Sequence, residues 1–187
     1  MNKIELLYID LFCGAGGTSS GVEYATVDGR KCAEVIACVN HDANAIKSHA
    51  ANHPKTMHFT EDIRTLDLAP LVKHLQKMKE IHPTAKVVLW ASLECTNFSK
   101  AKGGQPRDAD SPMTRKVKEF MAMYGIIDIK MRMLKIVELK RIMGFPEDYT
   151  LIGTQAEQKK FIGNAVEVNM SRVLCEALAR KLMDKAA

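Results

Sequence analysis

"YIDLFCGAGGTSSG", residues 8–21, decides the fold: an apolar run of β-formers ends in a turn built on Gly14, Gly16, Gly17 and Gly21. A strand that feeds a glycine-rich turn opening a helix is a general device for bringing a nucleotide against backbone. Glycine allows positive φ and close approach, and the N–H groups of the following helix face the ligand. The plain alternative is a tight βα turn that holds nothing. Spacing narrows the choice of ligand. The glycines do not form the GxGxxG of a dinucleotide site, and no Lys-Ser/Thr pair follows them as in a phosphate loop.

Outward from this stretch the chain alternates two periods. LYIDLF (6–12), AEVIACV (33–39), MHFTEDI (57–63) and KVVLWAS (86–92) are short β-rich runs suited to strands buried on both faces. Between them, DANAIKSHAANH (42–53) and LAPLVKHLQKMKEIH (68–82) carry apolar residues at helical spacing, with Leu71, Leu75, Met78 and Ile81 forming one stripe. The order β-α-β-α-β-α-β predicts an α/β fold with a parallel, doubly wound sheet. The polar stretch 93–112 reads as a loop of about twenty residues, a length at which loops are commonly functional. Beyond it, 114–125 reads as helix, 126–134 as a possible strand, 137–145 as helix before Pro146, and 155–183 as a helical turn, a break at Gly163 and a closing helix.

Composition bounds the function classes. The chain has 187 residues, 47% of them hydrophobic and 26% charged, which suits one globular domain with a core of its own. No apolar run approaches the roughly twenty residues of a membrane span, and the N-terminus lacks the pattern of a signal peptide, so a cytoplasmic protein with no membrane partner is expected. The net charge of +5 is compatible with a nucleic-acid partner and equally with simple solubility. The five cysteines, at 13, 32, 38, 95 and 175, include no CxxC pair and no histidine ladder at zinc spacing. Reduced thiols and no metal are expected.

DLFCGAGGTSSG resembles the first motif of the cytosine-5 DNA methyltransferases. Later segments resemble that family's motifs in the same order: EDI (61–63), the cysteine motif ECTNFS (94–99), GFPEDY (144–149) and the closing FIGNAVEVNMSRVL (161–174). The resemblance implies a Rossmann-like class I fold that uses S-adenosylmethionine. It implies Cys95 as the nucleophile that adds to C6 of a cytosine taken out of the base stack, so that C5 can accept a methyl group. It assigns Phe12, Gly14 and Gly16 to the methionine end of the cofactor, Asp62 and Ile63 to the adenine, and Asn164 and Val166 to closing the pocket. Where the family has an acid and an aromatic for the ribose, this chain has Asn40 and His41, followed by Asp42, which reads more simply as a helix N-cap. Cys13 reads as a small turn residue.

Three departures from the family pattern are legible. Glu94 stands where the family has proline before the nucleophile. The ENV motif, whose glutamate contacts N3 of the base, and the QxRxR motif have no counterpart. Residues 107–127 leave no room for a target-recognition domain. The organisation expected is an N-terminal cofactor and cysteine part (1–106), a junction replacing the central segment (107–127), and a C-terminal part of the same domain (128–187). The sheet is then truncated, with an edge after its fourth strand to be covered by 126–134, by a second copy or by a complementing chain. The function expected is transfer of methyl from S-adenosylmethionine to cytosine C5 in double-stranded DNA, impaired in this isolated chain, in the restriction-modification or phage setting habitual to the family. The alternatives are a non-catalytic S-adenosylmethionine-binding remnant, one half of a split enzyme, and methylation of RNA by the same cysteine chemistry.

Overall fold

In a computed structural model, residues 4–92 and 134–184 are described, and the two stretches build one compact unit. Strand β1 (Leu6–Leu11) runs through the middle of a four-stranded sheet of order β5-β4-β1-β6, all parallel, with β4 at Ala33–Val39, β5 at Met57–Phe59 and β6 at Lys86–Ala91. The helices are α1 (Gly17–Tyr24), α2 (Ala43–Asn52), α3 (Ala69–Ile81), α4 (Ile136–Ile142), α5 (Gln155–Asn164) and α6 (Val168–Asp184). None of them is long and apolar enough to cross a membrane. The α/β expectation holds: this is the Rossmann-like class I architecture, a parallel sheet with flanking helices.

Both faces of β1 are covered, which explains its continuous apolar run. Leu7 and Ile9 face a cluster with Ile36, Val39, Phe59 and Leu71, while Leu6 and Tyr8 face Val22, Val35, Cys175 and Ala179 of the opposite layer. The predicted stripe of α3 is correct for Leu71, Leu75 and Met78, yet Ile81 is 52% exposed. At roughly 100° per residue, Ile81 lies about 80° around the helix from Leu71 and so leaves the buried face.

The register between β1 and β4 slips after Tyr8, whose partner is Val35, while Ile9 pairs with Ala37. Side chains satisfy the backbone groups that the slip displaces. Glu23 accepts from Val35 N at 2.9 Å, Thr56 donates to Val35 O at 3.0 Å, and His74 Nε2 donates to Ile36 O at 3.1 Å. Because that carbonyl can only accept, the proton of a neutral His74 sits on Nε2.

Two differences from the sequence expectation have local causes. A short antiparallel hairpin, β2 (Thr26–Val27) and β3 (Arg30–Lys31), turns at Asp28 and Gly29, both with positive φ as a tight hairpin turn requires. The break between the last two helices falls after Asn164, at extended Ala165, and not at Gly163, whose φ is ordinary for a helix and whose Cβ position faces open space. Among the described residues β6 pairs only with β1, and its Val87 and Leu89 are 44% and 64% exposed. The segments 114–125 and 126–133, the cysteine motif and the expected boundaries at 106–107 and 127–128 lie outside the described residues.

Candidate functional site

The turn after β1 leaves the carboxyl end of the central strand with an unusual backbone. Phe12, Gly14 and Gly16 have φ of 60°, 52° and 92°. Phe12 is the costly member, since a bulky residue at positive φ is strained. Cys13 N donates to Val39 O at 3.2 Å and Gly16 N to Cys13 O at 2.9 Å, which closes the loop onto α1. No side chain caps that helix. A Cβ at Gly14 would meet nothing closer than Phe12 O at 4.0 Å, so the turn is open on that side.

Its other side is filled. A Cβ at Gly16 would lie 2.6 Å from the Tyr149 hydroxyl, one at Gly17 would lie 2.2 Å from Val166 O, and one at Gly21 would lie 2.3 Å from Val168 O. The glycines therefore serve two ends: three of the four let the C-terminal segment pack directly on the turn and on α1. In this way Val166 is brought to the turn. Asn164, exposed at the end of α5, stands two residues before it.

The remaining sequence-predicted residues sit at neighbouring strand ends. Asn40 follows β4, and its N–H donates to Phe59 O at 3.1 Å. Its side-chain carbonyl accepts from Asp42 N at 2.8 Å, which leaves the side-chain amide protons for another partner. His41 is exposed. Asp42 caps α2, accepting from Asn44 N and Ala45 N at 2.9 and 3.2 Å, as its sequence position suggested. Asp62 is gripped by the Arg64 guanidinium at 2.6–3.1 Å, and these hydrogen bonds hold its carboxyl well below the usual carboxylate range. Ile63 packs against the core cluster under β1. Cys95 lies outside the described residues.

Supporting residues not singled out in the sequence converge beneath the turn. Tyr149 donates a short hydrogen bond to Ala15 O, pinning the apex of the loop. Buried Lys140 in turn fixes the segment before Tyr149, donating to Glu147 O at 2.6 Å and Tyr149 O at 2.9 Å. Ser20 donates to Gly16 O at 2.8 Å. Both hydroxyl protons are thus committed, so His53 Nε2, at 3.2 Å from Ser20 Oγ and 3.3 Å from Tyr149 Oη, must be the donor to both. A signal was present in the sequence: four of the six histidines, at 41, 49, 53 and 58, fall in one short stretch.

The same layer contains opposed pH responses. Burial pushes the Asp10 carboxyl up to about 7, with Ser19 opposing the shift at 2.8 Å, and one of its oxygens has no partner. Burial pushes His53 down to about 3, aided by repulsion from His49. For His53 the unfolded chain binds a proton between about pH 6.5 and 3 and the native state does not, so its stability contribution is lost as pH falls through that window. Asp10 acts in the opposite sense, its native state holding a proton the unfolded chain has released, so its contribution is lost as pH rises toward 7. The His53→Gln variant isolates the first effect. Relative to the parent, it should gain roughly 1–2 kcal/mol between pH 7 and 5 in urea unfolding; equal slopes in the two proteins would remove His53 from the account.

Residues 6–109 and 90–180 match the family model described as C-5 cytosine-specific DNA methylase. Two Type II methyltransferases are similar over part of the chain. M.SacI of Streptomyces achromogenes is 37% identical over 51 residues, and M.AgeI of Thalassovita gelatinovora is 30% identical over 103 residues. These stretches are 27% and 55% of this chain but only 13% and 21% of those proteins. Among solved structures, Entamoeba histolytica methyltransferase EhMeth aligns with a TM-score of 0.58 at 13% identity, covering 96% of this chain and 99% of that one. A Spodoptera frugiperda DNMT2 mutant aligns with 0.53 at 13%, covering 91% and 98%. At that identity the structural likeness speaks to the fold, while the family match spans most of the sequence, including the turn, the cysteine motif and the closing segment. The chain belongs to the C-5 cytosine-specific DNA methylase family.

Proposed function

We infer that the chain binds S-adenosylmethionine across the carboxyl ends of β1, β4 and β5 and carries Cys95 as the nucleophile of cytosine-5 methylation. The observation that supports this best is the turn itself. Its backbone is strained at Phe12, open above Gly14, and buttressed from behind by Tyr149 and Val166. Strain held in place by that much surrounding structure is characteristic of a ligand site, and the ends of parallel strands are where such sheets bind ligands. The uncapped start of α1 suits the carboxylate of a methionine moiety. Asn40 amide protons and the exposed His41 ring offer a hydrogen bond and a stacking face to a ribose and its base. For adenine, Asp62 would have to share its carboxylate with Arg64.

S-adenosylmethionine supplies an electrophilic methyl group. Cys95 contributes a thiolate that forms a bond to C6, moving electron density to C5; C5 then takes the methyl, loses its proton, and the C6–S bond breaks to restore the ring. Glu94 beside the thiol opposes thiolate formation if the two side chains are close. The missing N3-contacting glutamate removes electrostatic support for the adduct, a loss of about a hundredfold or more in comparable sites. Turnover by this chain alone is accordingly impaired. DNA is the substrate class that fits the family, with phosphate-driven, salt-sensitive binding. The second reading, a cofactor-binding half completed by another chain or a second copy, is favoured by the exposed Val87 and Leu89 on β6.

Cofactor binding is checked by thermal melting. At a concentration about a hundred times its Kd, S-adenosylmethionine should add ~2.7 kcal/mol, or roughly 5–10 °C for a chain of this size. No shift at millimolar cofactor would defeat both readings. Labelled methyl transfer to duplex DNA then separates a slow enzyme from a binding remnant.

A further inference from the structure

Directly beneath the cofactor turn lies a cluster of soft ligands that the family chemistry does not use. Asp10, Cys38 and His58 occupy one rung of the sheet, Asp10 opposite Cys38 on β1 and β4, and Cys38 opposite His58 on β4 and β5. Cys13 reaches the same place from the turn, and His49 from α2. One ligand atom each of Cys13, Cys38 and His49 lies within 4.8 Å of the others, and all three residues are buried. His58 Nε2 is 2.9 Å from His49 Nδ1.

The hydrogen bonds orient this cluster. Ser19 donates its one proton to Asp10 at 2.8 Å, so it must accept from His49 Nε2, 2.9 Å away. A neutral His49 therefore carries its proton on Nε2 and presents the Nδ1 lone pair to Cys38, His58 and Cys13. A histidine whose second nitrogen is held by a carboxylate-backed partner is the arrangement found behind metal ligands.

We propose that Cys13, Cys38, His49 and His58 form a tetrahedral Cys2His2 site for zinc(II) under the cofactor turn. Geometry supports it: bonds of ~2.3 Å to sulfur and ~2.05 Å to nitrogen at tetrahedral angles put sulfur and nitrogen about 3.6 Å apart, and Cys38 Sγ lies 3.6 Å from His49 Nδ1. The two histidine nitrogens must open from 2.9 Å to about 3.3 Å, and the His58 ring must close on the set formed by Cys13, Cys38 and His49, whose ligand atoms lie within 4.8 Å of one another. Binding displaces two thiol protons to solvent, and two thiolates cancel the dication, so the filled site is neutral in its buried setting. All four positions are filled by protein, the mark of a structural rather than a catalytic zinc. Such an ion would tie the turn, β4, α2 and β5 together from below.

The test uses the whole chain. Purified without chelator, it should contain about one zinc per chain. After exchange with cobalt(II), it should show the intense visible bands of a tetrahedral site with thiolate-to-metal charge transfer. The Cys38→Ser variant should lose the charge-transfer band, and His58→Gln should weaken cobalt affinity at least tenfold, while Cys175→Ser, whose thiol lies near Tyr8 in the opposite layer, should leave both unchanged. Should Cys38→Ser fail to fold, the parent spectrum alone decides between tetrahedral and octahedral cobalt. A folded parent that takes up neither metal, or that carries a Cys13–Cys38 disulfide in its place, overturns the proposal. Because the readout needs no S-adenosylmethionine, its failure is distinct from failure of the cofactor reading.

Discussion

Alanine at position 17 will destabilise the chain by roughly 2–3 kcal/mol and abolish any gain in melting temperature on adding S-adenosylmethionine. Helix propensity alone argues the other way, because exchanging a helical glycine for alanine is worth about 1 kcal/mol in favour of alanine. Gly17 opens α1 with an ordinary φ, so nothing in its own backbone demands glycine. Sterics decide the sign. The added methyl would sit 2.2 Å from Val166 O and 3.1 Å from Ala165 Cβ, and a backbone carbonyl cannot rotate away as a flexible side chain can. Overpacking costs about 1–3 kcal/mol and occasionally more; a methyl against a fixed carbonyl belongs at the top of that range, and relief requires the closing segment to lift off the turn. Gly163→Ala is the matched control. It lies in α5 with nothing within 4 Å of its Cβ position, so it should be neutral or stabilise slightly. Equal melting temperatures for Gly17→Ala and Gly163→Ala would show that the two halves do not meet as described.

The second large effect concerns Cys95. Because turnover is expected to be weak, the informative measurement is one in which product accumulates on the protein. A cytosine with fluorine at C5 can accept the thiolate at C6 and the methyl at C5, but it then has no proton to lose, so the covalent adduct persists. Incubated with S-adenosylmethionine and an oligonucleotide carrying this base, the chain should form a denaturant-stable complex over long times. Cys95→Ser should reduce it to background, since a serine hydroxyl is far less ionised than a thiol at neutral pH. Cys175→Ser should not change its yield. An adduct that survives Cys95→Ser would place the nucleophile elsewhere. The absence of one in the parent, under conditions where cofactor raises the melting temperature, would favour the binding remnant. Comparing deoxyribose and ribose oligonucleotides in the same assay separates DNA from RNA as the substrate.

Much of the turn was legible because its signals are local. Positive φ at Gly14 and Gly16 follows from residue type, and the cap at Asp42 from an acid placed just before a helical period. The place of Phe12 at the cofactor follows only from the family resemblance, and its strained φ of 60° has no local signature. Regular spacing does not say how wide a buried face is, so the stripe on α3 ends at Met78 and leaves Ile81 exposed. Propensity alone makes Gly163 a helix stop; in the fold it continues the helix, and the chain breaks where Ala165 and Val166 lie across Gly17.

The alternation of parallel strands and helices, the glycine turn and the family were determined by sequence alone, since each rests on residues close together or on motifs in a set order. Tertiary structure decided why Gly17 and Gly21 are glycine, what Tyr149, Lys140 and His53 support, and that Cys13, Cys38 and His49 share one place with His58 against His49. Those four residues are spread over four elements, so no spacing along the chain announces them. The parallel register that sets Asp10, Cys38 and His58 side by side arises from pairing between strands far apart in sequence, and α2 then lowers His49 onto that rung. Local chemistry specified which turn could form; long-range packing specified what stands behind it.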